Sequence, residues 1–327
     1  MTTQARPIVA MSRFNMPGDP PARLSPMADL RLWSEKRYPT GAELLALTEG
    51  AVALLCVNGD VVNAEFMARR PGLKLVAIAS TGYDSIDVAA VNAAGAVVTN
   101  SRGTLFETTA DLTFGLILAA RRRIVEADRY VRAGRWDHND LDFFLGLDVY
   151  GATLGLIGYG EIGQAVARRA RGFAMTIVHH RRQRGDDELS RWVELDELLR
   201  ISDVVALHIP STPETRHYIG EREFRLMKPT ATFVNAARGA VVDEAALIRA
   251  LREGWIGSAG LDVQQTEPNP DPDDPLLAFP NCVVMPHIGS ATMAARARMV
   301  GMATENIVAL FEGRALLTPV GELAAPR

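Results

Sequence analysis

Short apolar runs alternate with stretches of helical periodicity along most of this chain. Ile8–Met11, Leu30–Trp33, Ala53–Val57, Leu75–Ala79 and Val97–Thr99 have the length and composition of strands. Helix-like segments such as Gly41–Thr48 and Val88–Ala94 separate them. Runs that are apolar throughout suit strands buried on both faces, so the pattern predicts a parallel sheet covered by helices. After Asn100-Ser101-Arg102-Gly103 the rhythm lengthens: Leu112, Gly115, Leu116 and Ala119 recur at i, i+3, i+4 and i+7 and predict one long helix over Thr104–Gly134. A second series follows, with strands predicted at Leu154–Ile157, Met175–His180, Val204–Leu207, Thr232–Asn235, Ser258–Leu261 and Cys282–Met285, then a helix over about Ala291–Phe311. The proline-rich stretch Pro268–Pro275 suits a surface loop.

The second series opens on Gly158-Tyr159-Gly160-Glu161-Ile162-Gly163, between a predicted strand and a predicted helix. In that context a GxGxxG motif points to a dinucleotide. Gly158 allows a tight turn, Gly160 allows backbone to approach a pyrophosphate, and Gly163 allows the helix to pack close to the sheet. The helix N-terminus offers N–H groups and a positive dipole end to the phosphates. An NAD-binding turn places an acidic residue after the second strand, to bind the ribose 2′-hydroxyl. Here that place holds Arg181, followed by Arg182. Guanidinium groups pair with a 2′-phosphate, which predicts a preference for NADP(H), with NAD(H) as the other candidate. A solvated basic turn is the plainer reading, since Asp186-Asp187-Glu188 follow.

Composition narrows the class. The 327 residues are 48% hydrophobic and 23% charged, enough for one large or two medium cores. A net charge of −4 gives no general attraction to nucleic acid. No apolar stretch reaches the roughly 18 residues of a membrane span, and the N-terminus does not read as a signal peptide. Cys56 and Cys282 lie in apolar runs and suit buried thiols. The expectation is a cytoplasmic protein with no metal site.

Candidate chemistry lies where strands end. His287 follows one predicted strand and precedes Ile288-Gly289-Ser290-Ala291-Thr292, at the edge where open α/β sheets bind ligands. It suits a general acid; capping or plain burial is the alternative. His208 also follows a strand and is its rival. Arg238, in Asn235-Ala236-Ala237-Arg238-Gly239, can clamp a carboxylate or sit in a surface ion pair. Asp262 and Glu267 follow another strand, either to hold a histidine and contact a cofactor amide or as loop charges. A cation, a carboxylate and an imidazole together are what hydride reduction of a 2-oxo acid requires.

Nearly end to end, the chain resembles the D-isomer-specific 2-hydroxyacid dehydrogenase family. The matching segments are Ser80–Asp87, Gly155–Gly163, His208–Arg216, Asn235–Gly239, Gly260–Val263 and Pro286–Thr292. Within the family it is most similar to glyoxylate/hydroxypyruvate and 2-ketogluconate reductases. The resemblance implies two doubly wound parallel-sheet α/β domains, a Rossmann cofactor domain over 103–288 inserted into a smaller flavodoxin-like substrate domain over 1–102 and 289–327. It implies Arg238, Glu267 and His287 as the catalytic set, with Glu267 orienting His287. Backbone N–H groups at Thr81 and Gly82, with Arg238 and His287, would bind substrate. Cofactor contacts would come from Gly158, Gly160, Glu161, Ile162, Gly163, Arg181, Arg182, Thr109, His208, Pro210, Thr215, Ala236, Ala237, Asp262 and Gly289. The implied substrate is a small 2-oxo or 2-hydroxy acid. An NAD-linked dehydrogenase of larger D-2-hydroxy acids and a nucleotide-sensing corepressor are the alternatives. Gln264-Gln265-Thr266 departs from the Phe-Glu-Pro type of run common before the family's glutamate. A homodimer is expected, through the long helix and a patch of Trp136, Phe143, Phe144 and Leu145.

Overall fold

The computed structural model describes residues 6–321. The chain divides into two compact units, one of Met1–Leu105 with Ala291–Arg327, the other of Phe106–Ser290.

In the first unit, strands lie in the order Pro319–Val320, Val97–Thr99, Leu75–Ile78, Ala51–Cys56, Ile8–Met11 and Asp29–Leu32. All pair in parallel except Pro319–Val320, which runs antiparallel to Val97–Thr99. The continuous apolar runs have a direct cause. Val9, Met11, Ala53, Leu55, Leu75 and Ala77 pack with Val300, Ala303 and Ile307 of the Met293–Phe311 helix. The intervening residues Ala10, Leu54, Cys56, Val76 and Ile78 pack with Phe66, Met67 and Val91 on the opposite face. Both faces are dry, so neither can carry a polar alternation.

The second unit is a wholly parallel sheet ordered Cys282–Val284, Ser258–Leu261, Thr232–Asn235, Val204–Leu207, Thr153–Ile157, Thr176–His180 and Arg191–Trp192. The strand order reverses between Thr153–Ile157 and Val204–Leu207, which opens a crevice at their carboxyl ends.

The single helix expected over Thr104–Gly134 is two, Phe106–Arg121 and Ile124–Arg132. Between them Arg123 takes a left-handed φ of 55°. The break follows from the capture of Arg121. Its guanidinium donates from Nε to Asp148 O at 3.1 Å and from Nη1 to Asp203 O at 2.7 Å. Its own carbonyl accepts from Leu147 N at 2.8 Å. The buried face also differs from the expected stripe: Thr109, Thr113, Leu116, Ile117 and Ala120 are buried while Gly115 is exposed. The last helix begins at Met293, where Thr292 Oγ1 accepts from Ala295 N at 3.1 Å. The short strands Arg191–Trp192 and Pro319–Val320 are too brief to show a period in sequence. Among the described residues no helix is long and apolar enough to cross a membrane.

Gly155, inside the Thr153–Ile157 strand, is where the Leu195–Ile201 helix comes closest. A Cβ there would overlap Ser202 Oγ and lie 2.6 Å from Leu198 Cδ2. Gly155→Ala is therefore expected to cost about 1–3 kcal/mol by overpacking. Urea unfolding should show a lower midpoint at an unchanged slope; a wild-type midpoint would contradict this packing.

Candidate active site

The glycine turn joins the Thr153–Ile157 strand to the Glu161–Ala170 helix, which places Glu161 and Ile162 in the helix's first turn. Gly158 has φ 95°, and a Cβ on it would run into the carbonyl of His208. At Gly160, the helix N-cap, a Cβ would meet nothing within 4 Å, so the space in front is open. A Cβ at Gly163 would strike the carbonyl of Gly158, so the close packing there is of the helix on its own turn and not, as expected, on the sheet. His208 completes the crevice: its N–H donates to Ile157 O at 2.7 Å, and both ring nitrogens are inaccessible and without a hydrogen-bond partner. Burial pushes its pKa down to about 4, so it is neutral at physiological pH. A turn that admits no side chain at Gly158 or Gly163, open space before the helix N-terminus and an imidazole with unused polar atoms fit a dinucleotide. Nearby, Thr215 Oγ1 donates to Pro210 O and accepts from Thr212 N, both at 2.7 Å, which holds the loop after the Val204–Leu207 strand.

Arg181 follows the Thr176–His180 strand, and its Nε donates to Gln183 O at 3.0 Å. Among the described residues neither Arg181 nor Arg182 forms an ion pair with a carboxylate. The acidic neighbours are used within the loop. Asp186 accepts from Trp192 N at 2.6 Å, and Asp187 accepts from Leu189 N at 2.8 Å and Ser190 N at 2.9 Å.

Three successive strand ends build the catalytic candidate. After Thr232–Asn235, the buried side chain of Asn235 accepts from Ala237 N at 3.0 Å and donates to Arg238 O at 2.9 Å. It thereby shapes the turn Ala236-Ala237-Arg238. After Ser258–Leu261, Asp262 is buried; its carboxylate accepts from Ile288 N at 2.7 Å and Gly289 N at 2.8 Å. Its carbonyl accepts from His287 N at 2.8 Å, and Thr109 Oγ1 donates to Gly289 O at 3.3 Å. These bonds hold His287 in a left-handed conformation, φ 53°. Burial pushes the Asp262 carboxyl up, against the two N–H donors that favour its charged form. Two hydrogen bonds leave lone pairs on that carboxylate for a further donor.

Glu267 reaches the same place. Its Oε2 lies 2.6 Å from His287 Nδ1, and its Oε1 accepts from Gln264 N at 2.8 Å. Burial raises the Glu267 pKa, but the His287 hydrogen bond and the nearby charge of Arg238 bring it below the ordinary carboxylate value. The altered run Gln264-Gln265-Thr266 still delivers its glutamate, because the loop is set by backbone contacts. Gln265 N donates to Glu244 Oε2 at 2.9 Å, and a Cβ on Gly239 would overlap Gln264 O and lie 2.6 Å from Gln265 N. The proline-rich stretch is organised around buried Asp274, which accepts from Gln264 Nε2 at 3.1 Å and Leu276 N at 2.7 Å. The sequence assigns no role to Asn235, Gly239 or Asp274; the signal for the first two is that they bound the Asn235–Gly239 segment around Arg238.

Thr81 and Gly82 belong to the smaller unit, after the Leu75–Ile78 strand. Asn100 Nδ2 donates to Thr81 O at 2.9 Å, and Ser101 N to Ser80 O at 2.9 Å. The loop is thus fixed through its carbonyls.

Residues 114–289 match the family described as D-isomer specific 2-hydroxyacid dehydrogenase, NAD binding domain. The chain belongs to that family. This dehydrogenase is 48% identical over 292 residues to a glyoxylate reductase of Korarchaeum cryptofilum, covering 87% of each chain. A protein of Thermus thermophilus superimposes with a TM-score of 0.91 at 44% identity, covering 96% of this chain and 100% of that one. An NADPH-dependent glyoxylate/hydroxypyruvate reductase of Sinorhizobium meliloti, solved with NADP and malonate, gives 0.88 at 31% identity over 99% of each chain. The dehydrogenase is an NAD(P)-dependent oxidoreductase with a dinucleotide-binding domain.

Gly239→Ala is expected to displace the Gln264–Glu267 loop and lower kcat/KM by about 100-fold, roughly 2.7 kcal/mol of transition-state stabilisation. Circular dichroism should remain native; unaltered kinetics would show that the close approach does not position Glu267. His208 yields a second expectation. Its folded pKa, about 4, lies below the usual 6.5. The unfolded chain therefore binds the extra proton, and stability falls as pH drops from 6.5 towards 4. His208→Asn should flatten that part of the melting-temperature profile; an unchanged slope would count against a buried neutral imidazole.

Proposed function

We propose that this dehydrogenase reduces small 2-oxo acids, glyoxylate and hydroxypyruvate among them, to D-2-hydroxy acids, with NADPH as the preferred reductant. The observation that carries the reading is the 2.6 Å contact between Glu267 and His287 Nδ1. An imidazole whose Nδ1 donates to an ionised carboxylate presents Nε2 as the proton-transfer atom.

Arg238 binds the substrate carboxylate and polarises the adjacent carbonyl. A nicotinamide held in the crevice would supply a hydride to the substrate's carbonyl carbon. The carbonyl electron pair moves to oxygen and takes a proton from His287 Nε2, which leaves a neutral imidazole to be reprotonated from solvent. Glu267 stabilises the charged imidazole before transfer and fixes its ring. In the smaller unit, the N–H groups of Thr81 and Gly82 are suited to a carboxylate, the role proposed for them. The preference for NADPH rests on Arg181 and Arg182, which stand where a ribose-binding acid would repel a 2′-phosphate.

A cytoplasmic homodimer accompanies this reading. Phe143 and Phe144 are engaged with Tyr130, at ring distances of 5.3 and 5.2 Å. Trp136 and Leu145 are 58% and 64% exposed, and Leu141 between them 97%, an apolar strip suited to a second copy.

Turnover of a panel of 2-oxo acids with both reduced nicotinamides tests the proposal. Arg238→Ala should lower kcat/KM by about 1,000-fold, since binding and polarisation are lost together. Arg181→Asp should lower the NADPH to NADH ratio of kcat/KM at least about tenfold by placing a carboxylate against the phosphate. Near-wild-type turnover by Arg238→Ala would overturn the mechanism, and a wild-type preference for NADH would overturn the cofactor assignment.

A further inference from the structure

The variable residue between the first two glycines of the motif is Tyr159, and nothing in dinucleotide binding itself demands an aromatic ring there. Tyr159 is 3% exposed, and its ring stacks on that of His179 with centroids 4.0 Å apart and planes 16° apart. Its hydroxyl donates to Asp187 Oδ1 at 3.0 Å. The same oxygen accepts from Leu189 N at 2.8 Å and Ser190 N at 2.9 Å. Ser190 Oγ lies 2.9 Å from His179 Nδ1, which closes a ring of contacts from Tyr159 through Asp187, Ser190 and His179 back to Tyr159. Burial lowers the pKa of His179, so this ring stacks as a neutral plate.

The closed ring joins the phosphate turn, the Thr176–His180 strand and the 181–190 loop, which begins with Arg181-Arg182. The Arg181 guanidinium carbon lies 5.8 Å from the centroid of the Tyr159 ring, and Trp192 Nε1 donates to Arg181 O at 3.0 Å. Most of this loop is exposed and irregular, so without an anchor it would have many conformations to lose when a phosphate binds.

We infer that Tyr159 and Asp187 act together as positioning residues that latch the Arg181–Arg182 turn, and so set the discrimination between 2′-phosphorylated and unphosphorylated dinucleotides. The inference rests on the NADPH reading. An unphosphorylated dinucleotide makes no demand on the two guanidinium groups, so loosening the latch weakens only the phosphorylated ligand. An electrostatic role for Asp187 has the opposite sign, because its charge would repel a 2′-phosphate. The two roles separate chemically: with asparagine, the amide oxygen can take the place of Oδ1 and keep its three donors, whereas alanine keeps none.

The test is calorimetric binding of 2′,5′-ADP and 5′-AMP to the full chain, with kcat/KM for NADPH and NADH beside it. Wild type should bind 2′,5′-ADP more tightly. Tyr159→Phe and Asp187→Ala should each weaken 2′,5′-ADP about tenfold while leaving 5′-AMP within about twofold, the scale of one hydrogen bond to a charged group. Asp187→Asn should stay close to wild type. Equal losses for both ligands, a wild-type ratio in Tyr159→Phe, or Asp187→Asn behaving as Asp187→Ala would each overturn the latch. A wild type that does not prefer 2′,5′-ADP would instead remove the NADPH reading itself.

Discussion

The buried carboxylate of Asp262 accepts from Ile288 N and Gly289 N while its carbonyl accepts from His287 N, so the residue ending one strand grips the turn that leaves its neighbour. A left-handed residue other than glycine carries a cost of about 1–2 kcal/mol, and it persists where surrounding bonds over-determine it. His287 is such a residue, and the imidazole's direction follows from that grip. Glu267 then meets Nδ1 from the side, and the loop that presents it is seated on Gly239, next to Arg238. Each member of the trio is therefore aimed by backbone hydrogen bonding at a strand end.

Parallel strands make this economical. Their carboxyl ends lie along one edge, and both faces are sealed by apolar packing, so polar groups leaving the sheet gather at that edge, where they can meet each other and a ligand. The glycine turn uses the same edge. His208 presses its carbonyl where Gly158 has no side chain, and its ring nitrogens remain unpaired a strand away from the helix N-terminus. The cofactor crevice and the acid–base pair are products of one architectural rule.

The sequence shows this architecture most clearly where a single physical cause acts locally. Strands buried on both faces appear as unbroken apolar runs, and the glycines of the turn appear at their fixed spacing. The split at Arg123 is hidden, because what ends the Phe106–Arg121 helix is a guanidinium bonded to carbonyls at Asp148 and Asp203, far along the chain. Asn235 and Asp187 escape notice for a related reason: an Asn or Asp that binds nearby N–H groups looks like any loop residue until the chain wraps the loop around it. The link between Glu267 and His287 spans a separation that no period describes; the strand-end reading leaves open which of Asp262 and Glu267 holds a histidine, and the family resemblance names Glu267.

The seating of the Gln264 and Gln265 backbone on Gly239 carries an evolutionary consequence. Because main-chain atoms register that segment, the side chains of Gln265 and Thr266 can change without moving the Glu267 carboxyl group, whereas Gln264 also donates to Asp274 through its side chain. The adjoining glycine has no such freedom. Substitution is therefore cheap at Gln265 and Thr266, and a chain that lost the glycine would have to rebuild the loop to keep its acid–base couple.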